Sequence, residues 1–524
     1  MSGMKSDMAS KTKDVLVPEW VEPAESGVEV EVSEQAEPGK PRLKPINRHQ
    51  LMMRSIDIEM LIEADHAARA IWEMLGQVDL RGFDKTIRAV EGRAGQATVD
   101  PRLLAGLWIY GYSEGVSSAR ELSRMCDFEP GCQWLSAMAG VNYHTLSDFR
   151  VEHKEALDAL FTEVLGLLSA EGLVELKQVT QDGMRVKASA GSDTFRREDR
   201  LKQHLELARK QIEQMGDPRS EAISQRTAKA RQRALREKRA RLNQAIEELK
   251  VVRQTRKEEE RAEARVSMTD AEARIMKRSD GGFEPAYNVQ IAADVSNAII
   301  VDVQAVQAGS DRDQLVGAVE RLEQNGIHPK QWIADAGYTS HANIEAMAEK
   351  NIDLIAPIPE TAANPHQYEK RGIAPDFRVE AFHYDEAGNH YVCPQGKILR
   401  FTGVERHAGR IKKRFQAPPS ECRVCPFRSQ CCPKTKSRRI TRSEDSAVVK
   451  GFVAKMQTEE AKQVYRKRPQ VAEFVNAWIK DKLGLRQFRL RGLLKVQTEC
   501  LWASLTYNIQ QWIRLRWRVR LAAA

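Results

Sequence analysis

Long apolar runs are absent from the sequence. No stretch of 18 apolar residues occurs, and a helix needs about that length to cross a bilayer. The first residues, MSGMKSDMASKTKDVL, also lack the apolar segment of a secretory signal. We therefore expect no transmembrane helix and a cytoplasmic location.

An excess of positive charge is the main feature of the composition. The 524 residues include 82 Lys and Arg against 73 Asp and Glu, which gives a formal net charge of +9. Such a balance favours a polyanionic partner, either nucleic acid or an anionic membrane surface. A basic protein without such a partner would have the same composition, so charge alone does not decide between them.

The cysteines are few but clustered. Four of the eight fall between Cys422 and Cys432, and in a reducing compartment such clustering indicates metal binding rather than disulfides. The Cys422-x2-Cys425 spacing suits two thiolates on one tetrahedral zinc ion. Cys393 and either Cys431 or Cys432 would complete the four ligands. The alternative is a set of reduced cysteines in a basic loop.

The N-terminal third divides into a tail and a helical region. Residues 1–45 have no sustained apolar period, which predicts a disordered tail. From 46 to 170 the pattern is helical, with starts at Asp100-Pro101, at Ser117 or Ser118, and at Thr145 or Ser147, and a short helix around Trp134–Ala139. These short helices favour a helix-turn-helix-like DNA-binding domain, although any small helical bundle would give the same pattern.

Near Leu173 the apolar period changes from that of a helix to that of a strand. Five strands are predicted, at Leu176–Asp182, Tyr287–Asp294, Ile299–Val306, Gln331–Asp335 and Ile352–Ala356. The first ends in an Asp182-Gly183 turn, and helices capped by Ser310 and Ser340 separate the last three. The order β-β-β-α-β-α-β, followed by helices from about Ser446, predicts an α/β protein with an RNase H-like mixed sheet in residues 171–524.

Two insertions interrupt this core. Residues 196–266 are highly charged with a thin apolar stripe, which predicts an exposed helical hairpin or short coiled coil. Dense basic clusters favour an arm that grips DNA or dimerises, over a merely solvated helix pair. The second insertion, about 361–440, contains the clustered cysteines.

Two aspartates are placed for metal-dependent chemistry. Cleavage of a phosphodiester without a covalent intermediate needs an activated water and a stabilised leaving oxygen, which two divalent ions can supply. Asp182 and Asp335 end the first and fourth predicted strands, and the carboxyl ends of parallel strands meet at one sheet edge. Their carboxylates suit magnesium. Asp294 and Asp302 are nearby alternatives to Asp182.

A third acid lies on a predicted helix near the C-terminus. Glu473 and Lys480 are seven residues apart and would share one face of a uniform helix, where they could bind metal and DNA phosphate together. An ordinary surface pair would have the same spacing. Because proline inside a helix costs about 3 kcal/mol, the helix is expected to begin at or near Pro469.

These motifs together resemble the bacterial insertion-sequence DDE transposases, and in particular the group with a Tyr-x2-Arg…Glu-x6-Lys motif. That motif is formed here by Tyr465, Arg468, Glu473 and Lys480. The other segments that match the group are His144–Arg150, Gln181–Ser189, Gly281–Gln290, Ala334–Tyr338, Arg489–Gly492 and Tyr507-Asn508. The resemblance covers about residues 46–515.

The resemblance implies an RNase H-like catalytic domain in which Asp182, Asp335 and Glu473 bind two Mg²⁺ or Mn²⁺ ions. Water would attack the terminal inverted repeats of the element to free a 3′-OH, which would then attack target DNA. Lys480, Tyr465 and Arg468 would contact double-stranded DNA near the cut. Joining two ends implies a homodimer in the DNA complex, and a place in the nucleoid.

The last segment mixes arginines with aromatic residues. Arg489 and Arg491 are predicted to contact DNA phosphates, while the helix that follows packs on the core. Two other functions remain open from sequence: a transposase-derived DNA-binding protein that no longer cuts, and an RNase H-like nuclease without strand transfer.

Overall fold

The computed structural model describes residues 53, 55–87, 89, 92, 97–214, 225–278, 281–357, 365–407, 410–443 and 445–523. The predicted disordered tail, residues 1–45, lies outside the described residues. All the elements below belong to the compact unit Ile56–Ala524.

Six α-helices form most of the described part of the N-terminal region. They are α1 Ala67–Leu75, α2 Pro101–Ser113, α3 Ala119–Phe128, α4 Pro130–Leu135, α5 Tyr143–Glu152 and α6 Lys154–Ala170. The predicted caps Asp100 and Ser118 are confirmed, because each accepts a hydrogen bond from the first turn of its helix. The helix expected around Trp134–Ala139 is wrong: α4 ends at Leu135, and positive φ angles at Ala137 and Met138 prevent it from continuing.

α5 also starts earlier than the sequence predicted. It begins at Tyr143, and Asn142 rather than Thr145 or Ser147 caps it by accepting from the His144 N–H. Asparagine satisfies a free N–H of the first turn as well as serine or threonine does.

A six-stranded mixed sheet follows this region. Its strands are β1 Gln178–Lys187, β4 Arg274–Lys277, β5 Phe283–Asp294, β6 Ile300–Val306, β7 Gln331–Ile333 and β8 Asp353–Ile355. A separate short pair is formed by β2 Phe195–Arg196 and β3 Val266–Ser267. The order is β4-β5-β1-β7-β8, with β6 paired to β5. β1 is antiparallel to β5 and parallel to β7, and β7 is parallel to β8. The prediction of an α/β core of RNase H-like type with an all-α N-terminal region is confirmed.

β1 does not end at Asp182, so the predicted Asp182-Gly183 turn is wrong. The strand continues to Lys187, with Asp182 opposite Ile291 and Gly183 opposite Gln290. Glycine is needed here for space rather than for a turn, since a Cβ at Gly183 would lie 2.3 Å from the Asp311 carboxylate. Asp182 nevertheless lies just beyond the last parallel pair of β1 with β7, at Thr180.

Two helices connect the parallel strands, α9 Leu315–Gln324 and α10 His341–Glu349. Ser340 caps α10 as predicted, by accepting from the Asn343 N–H. Ser310 does not cap α9, because a short 3₁₀ turn at Arg312–Gln314 separates them.

The first insertion is a helical hairpin, as predicted. The helical arm consists of α7 Glu198–Gln214 and α8 Gln225–Gln254. Its apolar stripe is buried within the arm itself and against β3, in a cluster that includes Leu201, Leu205, Leu242 and Leu249. The arm therefore has a core of its own.

The second insertion contains a sheet that the sequence analysis did not predict. Five antiparallel strands lie in the order β13-β12-β11-β10-β9. Its elements are α11 Pro365–Arg371, β9 His383–Asp385, β10 His390–Val392, β11 Ile398–His407, β12 Arg410–Gln416, α12 Pro419–Arg423, α13 Arg428–Cys431 and β13 Arg439–Ser443. Leu399 and Phe415 are fully buried at its centre.

The chain returns to the main sheet through C-terminal helices. These are α14 Ala447–Met456, α15 Glu459–Tyr465, α16 Arg468–Ala477, α17 Leu493–Trp512 and α18 Arg518–Ala523, with π-helical segments at Trp478–Lys482 and Ile513–Trp517. α16 begins next to Pro469, as predicted. Neither the buried α17 nor any other helix of the described residues is long and apolar enough to cross a bilayer.

Side-chain amides of α17 complete the hydrogen bonding of β6. Asn508 accepts from the Ile300 N–H at 2.9 Å and donates to the Ile300 carbonyl at 2.8 Å. Gln497 does the same for Ala305 N–H and the Val303 carbonyl. Because these groups are buried, leaving them without partners would cost free energy.

We expect Asn508→Ala to lower the free energy of unfolding by about 2–6 kcal/mol, since it leaves two buried backbone groups without partners at about 1–3 kcal/mol each. Urea unfolding measures the change. Lys495→Ala, an exposed substitution on the same helix, is the control and should stay within about 0.5 kcal/mol. Equal stabilities of the two variants would contradict this role of Asn508.

Candidate active site

Asp182 and Asp335 lie at the same edge of the main sheet. Asp182 follows the parallel pairing of β1 with β7, and Asp335 follows the end of β7 by two residues. The strand predicted to reach Asp335 is therefore shorter, because Asp335 instead caps a 3₁₀ turn by accepting from the Gly337 N–H at 2.7 Å. Parallel neighbours bring the two carboxylates to one place.

Arg468 lies between the two carboxylates. Its Nη2 is 2.9 Å from Asp182 Oδ1 and 4.0 Å from Asp335 Oδ2. The arginine side chain is only 10% exposed, against 19% for Asp182 and 39% for Asp335. A largely buried cation thus neutralises part of the charge of the acidic pair.

α16 holds Asp182 through a second residue. Asn476 Nδ2 donates to Asp182 Oδ2 at 2.9 Å, while Arg468 and the Gly183 N–H bind Oδ1. Arg468 and Asn476 are eight residues apart, about two helical turns, so both lie on the face of α16 directed at β1. The sheet and this helix together fix the orientation of the carboxylate.

The electrostatics of Asp182 reflect opposing effects. Burial raises the pKa of the Asp182 carboxyl, the Arg468 guanidinium lowers it, and the negative charges of Asp335 and Asp311 raise it further. The net result is a pKa above the usual value. A cation near this carboxylate favours its charged form.

Tyr465 and Lys480 are brought to the same place. Burial raises the pKa of the Tyr465 hydroxyl, while the nearby charge of Arg468 lowers it and that of Asp335 raises it. Lys480 lies in the π-helical segment after α16; burial and the charge of Arg486 lower the pKa of its ammonium group, and Asp182 opposes this. Both therefore belong to the surroundings of Asp182.

Glu473 is not joined to the aspartates. It is exposed on α16, and none of the hydrogen bonds or ion pairs within the described ranges links it to Asp182 or Asp335. Across those ranges, no group of three or more His, Cys, Asp or Glu side chains is arranged to hold a metal ion. Glu473 does lie three residues before Asn476, which makes the two neighbours on the helix surface.

The two alternatives to Asp182 have structural partners elsewhere. Asp294 ends β5 opposite Val179, at the start of β1, where it accepts from the N–H groups of Leu176 and Ser296. Asp302 is paired with Arg321 at 2.7 Å. Neither carboxylate is close to Asp335 in the ladder, so the geometry favours Asp182 as the partner of Asp335.

Asp311 is a nearby acid that sequence reasoning missed. Its Oδ1 accepts from Asn288 Nδ2 at 2.6 Å and from Gln290 Nε2 at 2.8 Å, next to Gly183. Its position after β6, in Ser310-Asp311, was interpreted as the start of a helix. The glycine after Asp182 was the available signal, because it indicates a close approach by another group.

Arg489 and Arg491 are exposed in the segment before α17. The buried Glu499 carboxylate accepts from the backbone N–H of Arg489, which fixes the segment. Arg491 Nε donates to the Ser189 carbonyl at 3.1 Å, just past the end of β1. The structure therefore places these arginines beside β1 but separately from the aspartates.

The clustered cysteines lie together in the second insertion. One small cavity is lined by all five, Cys393, Cys422, Cys425, Cys431 and Cys432. Cys393 Sγ accepts from the Lys397 N–H at 3.3 Å. Burial raises the pKa of the Cys431 thiol to about 12, and the neighbouring cysteines add to the shift.

Two family models match the chain. "Transposase domain (DUF772)" covers residues 56–152, the region of α1 to α5, and "Transposase DDE domain" covers residues 392–513, which include Glu473 and Lys480. The two matches cover separate parts of the chain, and each is a similarity to a transposase domain. No curated protein matches the chain.

We expect Arg468→Leu to lower the free energy of unfolding by about 3 kcal/mol at neutral pH, because it leaves the Asp182 charge largely buried without its cation. Adding Asp182→Asn should restore part of the loss. Arg486→Leu, which removes an exposed pair with Asp481, is the control and should cost at most about 1 kcal/mol. Strictly additive effects of Arg468→Leu and Asp182→Asn would contradict the coupling.

Proposed function

We propose that this transposase cleaves the ends of its element by metal-dependent hydrolysis and joins each 3′-OH to target DNA. The observation that carries the proposal is the convergence of Asp182 and Asp335 at one edge of the sheet around the Arg468 guanidinium. Two carboxylates that both lie beside the Arg468 guanidinium have the charge and the position to bind one divalent metal ion together. The edge is also where sites form in α/β sheets.

A divalent metal is typical of the DDE family, and Asp182 and Asp335 fit such an ion by their hard oxygen donors. When bound there, Mg²⁺ or Mn²⁺ would activate the attacking water and stabilise the leaving oxygen. Asn476 and the Gly183 N–H would continue to orient Asp182 for its ligand role.

Glu473 is proposed as the third carboxylate. Its support is its place on α16, the helix whose Arg468 and Asn476 side chains already contact Asp182, and its presence inside the DDE-domain match. An exposed glutamate next to Asn476 has the side-chain freedom to turn toward the sheet edge.

DNA contacts near the cut are proposed for Lys480, Tyr465 and Arg468, and contacts farther along the duplex for Arg489 and Arg491. Lys480 is close enough to Asp182 to interact with its charge, so a phosphate held by Lys480 would lie near the carboxylates. Arg468 compensates the aspartates in the structure, and a bound divalent ion would free it to bind a phosphate.

The helical region 46–170 is proposed as a DNA-binding domain, and residues 171–524 as the catalytic domain with its insertions 196–266 and 361–440. Bringing two inverted repeats together requires at least two active sites, so we propose a homodimer in the DNA complex and a location on the nucleoid in the cytoplasm.

A structural zinc ion is proposed in the second insertion. Cys422 and Cys425 have the spacing of a zinc pair, and Cys393 and Cys431 line the same cavity. The hydrogen bond from the Lys397 N–H to Cys393 Sγ supports a thiolate there. Cys432 is the alternative to Cys431.

We expect Asp335→Asn to lower the rate of metal-dependent nicking by at least about a hundredfold, on DNA that carries the sequences flanking the reading frame. Substitutions of residues that only support a metal ligand already cost about 10–100-fold. Duplex binding in EDTA should be unchanged. The matched control is Asp313→Asn, an exposed acid before α9, which should cut normally. Retained cutting by Asp335→Asn would rule out the site, and binding without cutting by the wild type would favour the inactive alternative.

We expect the purified protein to contain about one zinc per chain, and Cys422→Ser with Cys425→Ser to abolish it, because structural zinc needs four ligands. Elemental analysis of folded protein measures this. Cys126→Ser, in the helical region, should retain the metal. An unchanged zinc content in Cys422→Ser and Cys425→Ser would exclude this ligand set.

A further inference from the structure

The distal half of α8 has a strongly basic surface. Between residues 231 and 241 there are six basic side chains and one acid, and all seven are exposed. The basic residues are Arg231, Arg233, Arg236, Lys238, Arg239 and Arg241. The acid, Glu237, pairs with Arg233, so most of the positive charge faces solvent.

The rest of the arm does not share this excess. Farther along α8 acids and bases alternate, as in the Glu247–Lys250 pair, and the turn that follows contains Glu258, Glu259 and Glu260. A helix solvated without a partner has no need to segregate charge in this way. The segregation indicates a surface for a polyanion.

The arm is fixed to the core at its base. Glu248 of α8 pairs with Arg274 of β4, and Gln307 Nε2 donates to the same carboxylate at 3.2 Å. The apolar residues of the arm are buried between its two helices and against β3. Over 231–241 only Leu235 is a large apolar residue, so this stretch offers little for a hydrophobic dimer contact.

The basic surface continues into an open groove against the core. Arg241 and Gln244 of α8 line this groove together with Arg491 and Lys495. Three acids also line the groove, and each has a partner. Asp270 accepts from Tyr287 Oη and the Gly492 N–H, Glu272 accepts from the Leu493 N–H, and Glu237 pairs with Arg233. The basic side chains are left to face the groove.

The groove lies beside the end of the strand that carries Asp182. Lys187 of β1 bridges to Gln487, and Arg491 binds Ser189. Seven residues separate Asp182 from Ser189, which is about 20 Å along an extended chain. This is less than one turn of B-DNA, about 34 Å, so one duplex in the candidate active site can also reach the groove.

We propose that Arg241, Arg491 and Lys495 form a phosphate-binding groove through which α8 holds the double-stranded DNA that enters the active site. This assigns the arm to DNA binding rather than to dimerisation. The inference rests on the proposed function, because that function makes double-stranded DNA the substrate. It extends the DNA-binding surface from the carboxylates to α8. Contacts to phosphate make the groove independent of base sequence.

Binding to a 30-base-pair duplex of arbitrary sequence, in EDTA and at several salt concentrations, tests the groove. The wild type is compared with the triple variant Arg241→Gln/Arg491→Gln/Lys495→Gln. Each lost phosphate contact should reduce the slope of log K against log salt by about 0.9. We expect a slope smaller by about 2.7 and binding at least about tenfold weaker at 0.1 M salt.

The matched control is Arg200→Gln/Arg209→Gln/Lys210→Gln, which removes the same charge from exposed positions of α7. It should bind with the wild-type slope, and thermal unfolding should be alike in all three proteins. An unchanged slope in the groove variant, an equal loss in the α7 variant, or a wild type that prefers single-stranded RNA to the duplex would each overturn the proposal.

The two proposals fail separately. If the groove is wrong but the function is right, the groove variant binds normally while Asp335→Asn still abolishes cutting. If the function is wrong but the groove is right, duplex binding depends on Arg241, Arg491 and Lys495 while cutting persists in Asp335→Asn.

Discussion

The placement of one arginine between two aspartates is the constraint on which the site depends. Burial raises the pKa of the Asp182 carboxyl, and the negative charge of Asp335 at the same edge of the sheet raises it further. Arg468, which comes from a helix 286 residues later in the chain, supplies the opposing charge. The acidic edge of the sheet is therefore complete only when the C-terminal helices have packed on β1.

The long separation is tolerated because each insertion carries its own core. The arm buries Leu201 against Leu242 and Leu249, and the second insertion centres on Leu399 and Phe415. Since the entropy of closing a loop grows only slowly with its length, folded insertions add little cost to the pairing of β1 with β5.

The sequence predicted features that depend on local pattern, and missed those that depend on distant partners. The apolar runs of β5 to β8 and the caps at Asp100 and Ser340 were visible locally. The Asp182-Gly183 pair has the local preference of a turn, yet its ladder with β5 overrides it. Asp311 was missed for the same reason, because its amide donors are on β5.

The end of α16 shows how a local irregularity in a helix changes a predicted site. Glu473 and Lys480 would share a face of a uniform helix, but α16 ends at Ala477 and a π-helical segment follows. The wider turn changes the angular relation of the two residues: Lys480 is partly buried near Asp182, while Glu473 is exposed. π-helical segments are frequent at functional sites. Asp182, Asp335 and Lys480 are thus already close together, whereas in the proposed site the Glu473 side chain would still have to turn toward them.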